Sequence, residues 1–435
     1  ESGRSVERKD PEAASNDASN WDTSENENGH SVNAKNSVFE PDVAGPRIRF
    51  ASVSGDSVQV VFSEFVDLSH SSTGININSK TPMLIEFDVE SANLVTLQVE
   101  EIAKDEPVLL EITALSDIKG NITDRSTTEV AQQIESGKVF INEIMFDPIS
   151  DPDDNLEDQV EYVELYNAAG HRVSLEGVVI HDKPDENGEI QIIIPDTRYK
   201  WIESGGYSVI YASEENMKSE QPVDMDTDPA SIPYEDAFSI QVERSSLSLS
   251  ATEDAVYLAN SEGSTIDSVW YDESWHNPNL PSTKGRSLEK INPVGPSNDP
   301  GNWGTSTDPS GGSWLIENTL YQRPGAAPEQ TGISFSPNPF SPDADGFEDN
   351  LFLNYALDAS DYLLRVRIFD RYGREVKKLA DGDPAGFNGT LIWDGLNEAG
   401  KVNRVGIYIV LFEAYNSANN KNLTIRKPVV LARKF

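Results

Sequence analysis

KVFINEIMFDP at 138–148 and EYVELYN at 161–167 decide the fold. In FINEIMF and YVELYN, apolar residues are interrupted by polar ones, read as the inward and outward groups of a strand with one buried face and one wet face. Working outward, VVIHD (178–182), EIQIIIP (189–195), YSVIYA (207–212), AVYLAN (255–260) and STIDSVWY (264–271) repeat the pattern with polar turns between. Short strands at such spacing predict a sandwich. Apolar spacing of three to four residues is not sustained. One helical turn around Glu129–Ile134 is the most helix the pattern predicts.

The same stretch resembles the lamin-tail domain in its bacterial, secreted form. The carriers are Ile141, Asn142, Glu143, Ile144 and Pro148, then Glu161, Tyr162, Val163, Glu164, Leu165, Tyr166 and Asn167, then Leu175 and Gly177. A block GRSLEKINP, followed by NW at 302–303, closes the unit. The resemblance implies an Ig-like β-sandwich over 136–328, with 212–247 as an inserted acidic loop. That closing block occurs twice. GRSVERKDPEAASNDASNWDTS at 3–24 aligns without a gap on GRSLEKINPVGPSNDPGNWGTS at 285–306, with 12 of 22 positions identical. Residues 1–38 are therefore expected to be the closing segment of a preceding lamin-tail domain, rather than an acidic linker.

Residues 39–135 show VQVVF (58–62), MLIEFDV (83–89), LVTLQV (94–99) and VLLEITA (108–114), again strands separated by polar turns. VVFSEFVD (60–67) and ALSDIKGN (114–121) resemble a bacterial Ig-like domain of cell-surface proteins. Residues 329–435 carry PNPFSPDADGFED (337–349), RIFDRYGREVKKL (367–379), WDG (393–395), GIY (406–408) and KPVVLARK (427–434). These resemble the C-terminal Ig-like domains of secreted Bacteroidota-type proteins, related to the flagellar hook-capping module and to type IX secretion tails. The resemblance implies a sorting and attachment address that engages export machinery. The expected fold class is all-β, with tandem Ig-like sandwiches strung as beads and short linkers near 39–45, 131–137 and 326–332.

Charge narrows the partners. The 435 residues hold 34 Lys and Arg against 74 Asp and Glu, a net of −40. Such a chain repels phosphate backbones, which argues against nucleic acid. It suits a saline, extracellular setting where salt screens self-repulsion. Residues 365–435 alone carry +6, so the rest carries −46. No apolar run reaches the roughly 18 residues of a membrane span. With no cysteine, thiol chemistry and disulfides are excluded.

Candidate sites follow from residue type. Asp343, Asp345, Glu348 and Asp349 crowd one Pro/Gly-bounded loop, and repelling carboxylates on a tight turn suit Ca²⁺. Asp151, Asp153 and Asn155 form a second calcium pattern, and Asp224, Asp226 and Asp228 a third. The five histidines (His30, His70, His171, His181, His276) do not pair at metal-ligand spacing. No nucleophile elbow or phosphate loop occurs. Trp270, Tyr271 and Trp275, beside His276, are candidates for stacking a sugar or anchoring a partner protein. Trp21 and Trp303 recur at equivalent repeat positions, which marks a packing role, as expected also for Trp393.

The expected function is non-enzymatic. The chain reads as an extracellular structural or adhesive component, displayed on a bacterial surface or assembled into a fibre. Its partners would be other copies of itself, neighbouring surface proteins or polysaccharide. The competing expectation is the accessory arm of a secreted nuclease or phosphoesterase.

Overall fold

The computed structural model describes residues 3–12, 15, 20–67, 74–87, 93–102, 104–123, 125–149, 159–183, 190–212, 239–242, 244, 246–322, 331–342 and 348–433. Nearly all regular structure in them is β. Two three-residue 3₁₀ turns, Glu273–Trp275 and Pro300–Asn302, are the exceptions. The helical turn expected near Glu129–Ile134 is absent. Its residues extend as Ser126–Val130 and Gln132–Gln133, because Val108–Ile112 and Val173–Ser174 offer them ladders. No helix among the described residues is long and apolar enough to cross a membrane.

Among the described residues, three large hydrophobic cores succeed one another along the chain. The first lies between two antiparallel sheets. One joins Ile48–Ser54, Ser57–Phe62, Leu94–Gln98 and Leu84–Phe87; the other joins Ser126–Val130, Val108–Ile112 and Ile75–Ile77. Ser54 pairs with Ser57 across the two-residue turn Gly55–Asp56, where Gly55 takes φ 62°, a value hairpin turns of this length demand. The third core sits between Gly332–Ser336, Leu351–Ala356 and Asn388–Trp393 on one side and four long strands on the other. Those run from Tyr362–Asp370 to Lys421–Leu431, around fully buried Trp393 and Phe412.

The middle core belongs to a six-stranded sheet packed on a four-stranded one. In spatial order the larger sheet runs Ser239–Val242, Tyr207–Ala212, Tyr162–Asn167, Val139–Met145, Leu288–Lys290 and Trp303–Thr305. Part of the segment expected to be an inserted loop is thus an edge strand. Ser239–Val242 pairs in parallel with Val209–Ala212, and Ile240, Val242 and Leu247 enter the core. Residues 213–238 lie outside the described residues. The smaller sheet runs Ile192–Ile193, Val179–His181, Glu253–Ala259 and Thr265–Asp272.

The repeated block folds twice in the same way. Val6, Glu7 and Arg8 pair with Thr23, Asp22 and Trp21; Leu288, Glu289 and Lys290 pair with Thr305, Gly304 and Trp303. Adding 282 to each residue of the first register gives the second.

Candidate functional site

Reading FINEIMF and YVELYN as one-sided strands predicts wet outer residues, and here the structure differs. A register shift between Ile141 and Glu143 leaves Ile141 and Ile144 both in the core and turns Glu143 to the other face. Glu143 lies directly opposite Glu164 on one neighbouring strand and Glu289 on the other. Three glutamates therefore stand in a row across three strands, and all three have no exposed surface. The cause is a strap, residues 306–320, that returns over this face after the Trp303 strand.

The strap supplies donors to the row. Glu143 Oε1 accepts from Tyr162 Oη at 2.5 Å, Ser287 Oγ at 2.5 Å and the Ser313 amide at 2.9 Å. Glu164 accepts from Asn142 Nδ2 at 2.9 Å and from the Leu315 amide. Glu289 Oε2 accepts from Thr319 Oγ1 at 2.7 Å and the Leu320 amide at 3.0 Å. Ser313 Oγ stands 3.1 Å from Glu143 Oε2 and 2.9 Å from Glu289 Oε1. It has one proton for two acceptors. A further proton on the carboxylate pair resolves the conflict. Burial, then the Glu289 charge, pushes the Glu143 carboxyl from 4.5 up to about 7. Glu164 and Glu289 are raised too, both chiefly by burial.

Buried, shifted carboxylates often mark active sites. This row has no room for a substrate. A Cβ added at Gly312 would lie 2.0 Å from Tyr162 Oη and 2.8 Å from Glu143 Oε1, so the strap backbone is already in contact with the pair. The row can hold a proton and fasten the strap. Lys290, adjacent in sequence to Glu289, is fully buried with Nζ 2.7 Å from Ser297 Oγ and 3.9 Å from Asp267. Its pKa falls to about 8, chiefly by burial.

The aromatic candidates separate. Trp270 is 55% exposed, whereas the next residue, Tyr271, turns into the core, stacks on Phe146 at 4.6 Å and donates to the Ser250 carbonyl at 2.8 Å. Trp275 packs on the core beside Trp303, and buried His276 meets Thr305 Oγ1 at 3.0 Å. Strand alternation explains the separation of 270 from 271. On the outer face of the smaller sheet, Trp270 instead joins residues not anticipated. Tyr257 lies 6.4 Å from it edge-on, His181 stacks on Tyr257 at 4.7 Å, and exposed Ile192 pairs with His181. Cross-strand register links these four, a signal that single-strand patterns do not carry.

Of the expected metal ligands, Asp343, Asp345, Asp151, Asp153, Asn155, Asp224, Asp226 and Asp228 lie outside the described residues. Glu348 is exposed and Asp349 half-buried. A different carboxylate group comes together: Asp42, Glu64 and Asp117, each offering an oxygen within 4.8 Å of the others. Asp117 is already engaged, accepting from the Lys119 and Asn121 amides at 2.8 Å each. Asp42 is pushed up by burial, with Glu64 hydrogen-bonded beside it.

Fold and geometry define a modular all-β chain of Ig-like sandwiches. Within it, residues 132–273 match the lamin tail domain family. That match stops short of Glu289 and the strap, which the structure nevertheless builds into the same sheet. No curated protein matches the chain. Similar solved structures include FlgD from P. aeruginosa, 23% identical, covering 19% of this chain and 62% of that one, with a TM-score of 0.16. PorZ, a surface component of the type IX secretion system of Porphyromonas gingivalis, is 13% identical and covers 89% of this chain and 51% of its own, with a TM-score of 0.19. Latent PorU from the same organism is 9% identical and covers 90% and 34%, with a TM-score of 0.20. The chain thus spans less than two thirds of each, and such TM-scores mark no shared global arrangement.

Proposed function

We propose that this chain is a non-enzymatic structural component displayed outside a bacterial cell. The observation that supports this best is the construction of the joints. Arg172 of the middle sandwich donates to the Glu129 carbonyl at 2.8 Å, and Phe50 of the first packs on Trp201 at 5.8 Å. Asn279 donates to the Asp361 carbonyl at 2.9 Å and accepts from the Ser417 amide at 2.8 Å. Joints of direct hydrogen bonds and packed rings suit a rod that holds its shape. The buried glutamate row, filled by the strap, suits a scaffold better than a catalyst.

In this reading the C-terminal sandwich is the export and attachment end. Trp270, with Tyr257 and His181, is the contact for surface polysaccharide or a neighbouring protein. Calcium at Asp343, Asp345, Glu348 and Asp349 would neutralise the crowded carboxylates of that loop. Protease shaving of intact cells tests display. Peptides of this chain should be released before lysis, and a chain protected until lysis overturns the proposal. For calcium, excess EDTA should lower the melting temperature, and an unchanged value removes the metal from the account.

A further inference from the structure

The glutamate row leaves Lys290 unexplained. Its side chain has no exposed surface. A lysine so placed costs free energy unless its charge is answered or given up. Nζ sits 5.0 Å from the ring centroid of Phe140 and 5.7 Å from that of Trp303. It donates to Ser297 Oγ at 2.7 Å and to the Pro293 carbonyl at 3.2 Å. Asp267 Oδ2 lies 3.9 Å away. Lys290 belongs to the six-stranded sheet and Asp267 to the four-stranded one, so the pair spans the sandwich.

The surroundings of Asp267 polarise its carboxyl group. Oδ2 accepts from the Ile141 amide at 2.8 Å, and Oδ1 from the Ser268 amide at 2.8 Å. Ser297 Oγ stands 2.8 Å from both oxygens. Ser297 therefore links amine to carboxyl, accepting from Lys290 and donating to Asp267. Backbone N–H groups aimed at carboxyl oxygens stabilise an oxyanion that forms there. Asp267 keeps 13% of its side chain exposed, which gives a leaving water an exit.

We infer that Lys290 and Asp267 condense to an amide that staples the two sheets of the middle sandwich together. The step balances with no other reactant. One proton passes from the ammonium through Ser297 to the carboxylate, leaving amine and carboxyl both neutral. Burial favours that transfer, since it lowers the Lys290 amine to about 8. The Nζ lone pair then forms a bond to Cγ of Asp267, and the C=O electron pair moves onto the oxygen held by a backbone N–H. As the C=O re-forms, the C–OH bond breaks, and the hydroxyl leaves as water with a proton from the nitrogen. Contact takes about 1 Å of side-chain movement, and holding both partners in one fold supplies an effective concentration on the order of 10⁵ M or more. The product buries no charge. A chain without cysteine would thereby gain a covalent cross-link. Such a staple would be present whether or not the chain is displayed on a cell.

The test keeps the full chain folded at a pH of about 8, where the amine is available, then denatures it and measures its intact mass. The chain should be lighter than its sequence by one water. Trypsin should fail to cleave after Lys290, and residues 245–284 should be recovered joined to the peptide that starts at Ser287. Lys290→Arg cannot make the amide and should run at full mass. Arginine already holds the equivalent register in the first block, at Arg8, so this variant tests the bond without a foreign side chain. It should also melt below the parent. A parent chain at full mass overturns the inference, and so does a water deficit that persists in Lys290→Arg.

Discussion

Glu143 starts as a carboxyl with an ordinary value of 4.5 and ends in the folded sheet at about 7. A raised folded value means the native state holds a proton that the unfolded chain releases. Its stabilisation is fully present below pH 4.5 and is lost as pH rises through 7. Glu143→Gln keeps an acceptor for Tyr162 and Ser287 and adds a donor toward Ser313. The variant should be more stable than the parent at pH 8, by at most about 3 kcal/mol, and the two should converge near pH 4.5. Denaturant unfolding at several pH values checks this, and an unchanged pH slope in the variant removes Glu143 as the titrating group.

At the level of elements, one hydroxyl helps hold the strap to the glutamate row. Ser313 Oγ bridges two glutamates. Ser313→Ala should cost about 1–3 kcal/mol, because buried acceptors lose their donor. Denaturant midpoints check this, and a cost below about 0.5 kcal/mol would contradict the bridging role of Ser313. The same elements show what could be read from sequence. The apolar stretches at 139–145 and 162–167, bounded by polar turns, are sufficient to predict strands, and the repeat foretells two matching closing segments. Their outer face could not be foreseen, because what buries Glu143 and Glu164 comes from residues 306–320, more than 140 positions away. A local period reports which residues share a face and not what later covers it. The aromatic set divides for a related reason. Trp270, Tyr271 and Trp275 are close in sequence, yet strand alternation and a 3₁₀ turn send only Trp270 outward.

For the whole molecule, the proposed stiffness would depend on a few joint residues. Asn279 ties the middle sandwich to the C-terminal one through Asp361, Asn416, Ser417 and Ala418. Asn279→Ala should broaden the distance distribution in small-angle X-ray scattering while each core still melts at its parent temperature. Unchanged scattering would mean the joint is held elsewhere. Net charge of −40 adds a salt dependence, since self-repulsion along the chain fades as screening grows. The central claim, that this is structural material and not the arm of a catalyst, is tested most directly on the native polypeptide. Its intact mass and peptide map should be determined after recovery from the cell surface. The account predicts that any peptides beyond these 435 residues belong to further β-sandwich copies of the lamin tail and Ig-like kinds. Peptides from a domain with clustered His and Asp metal ligands would contradict it and make this chain the display arm of an enzyme.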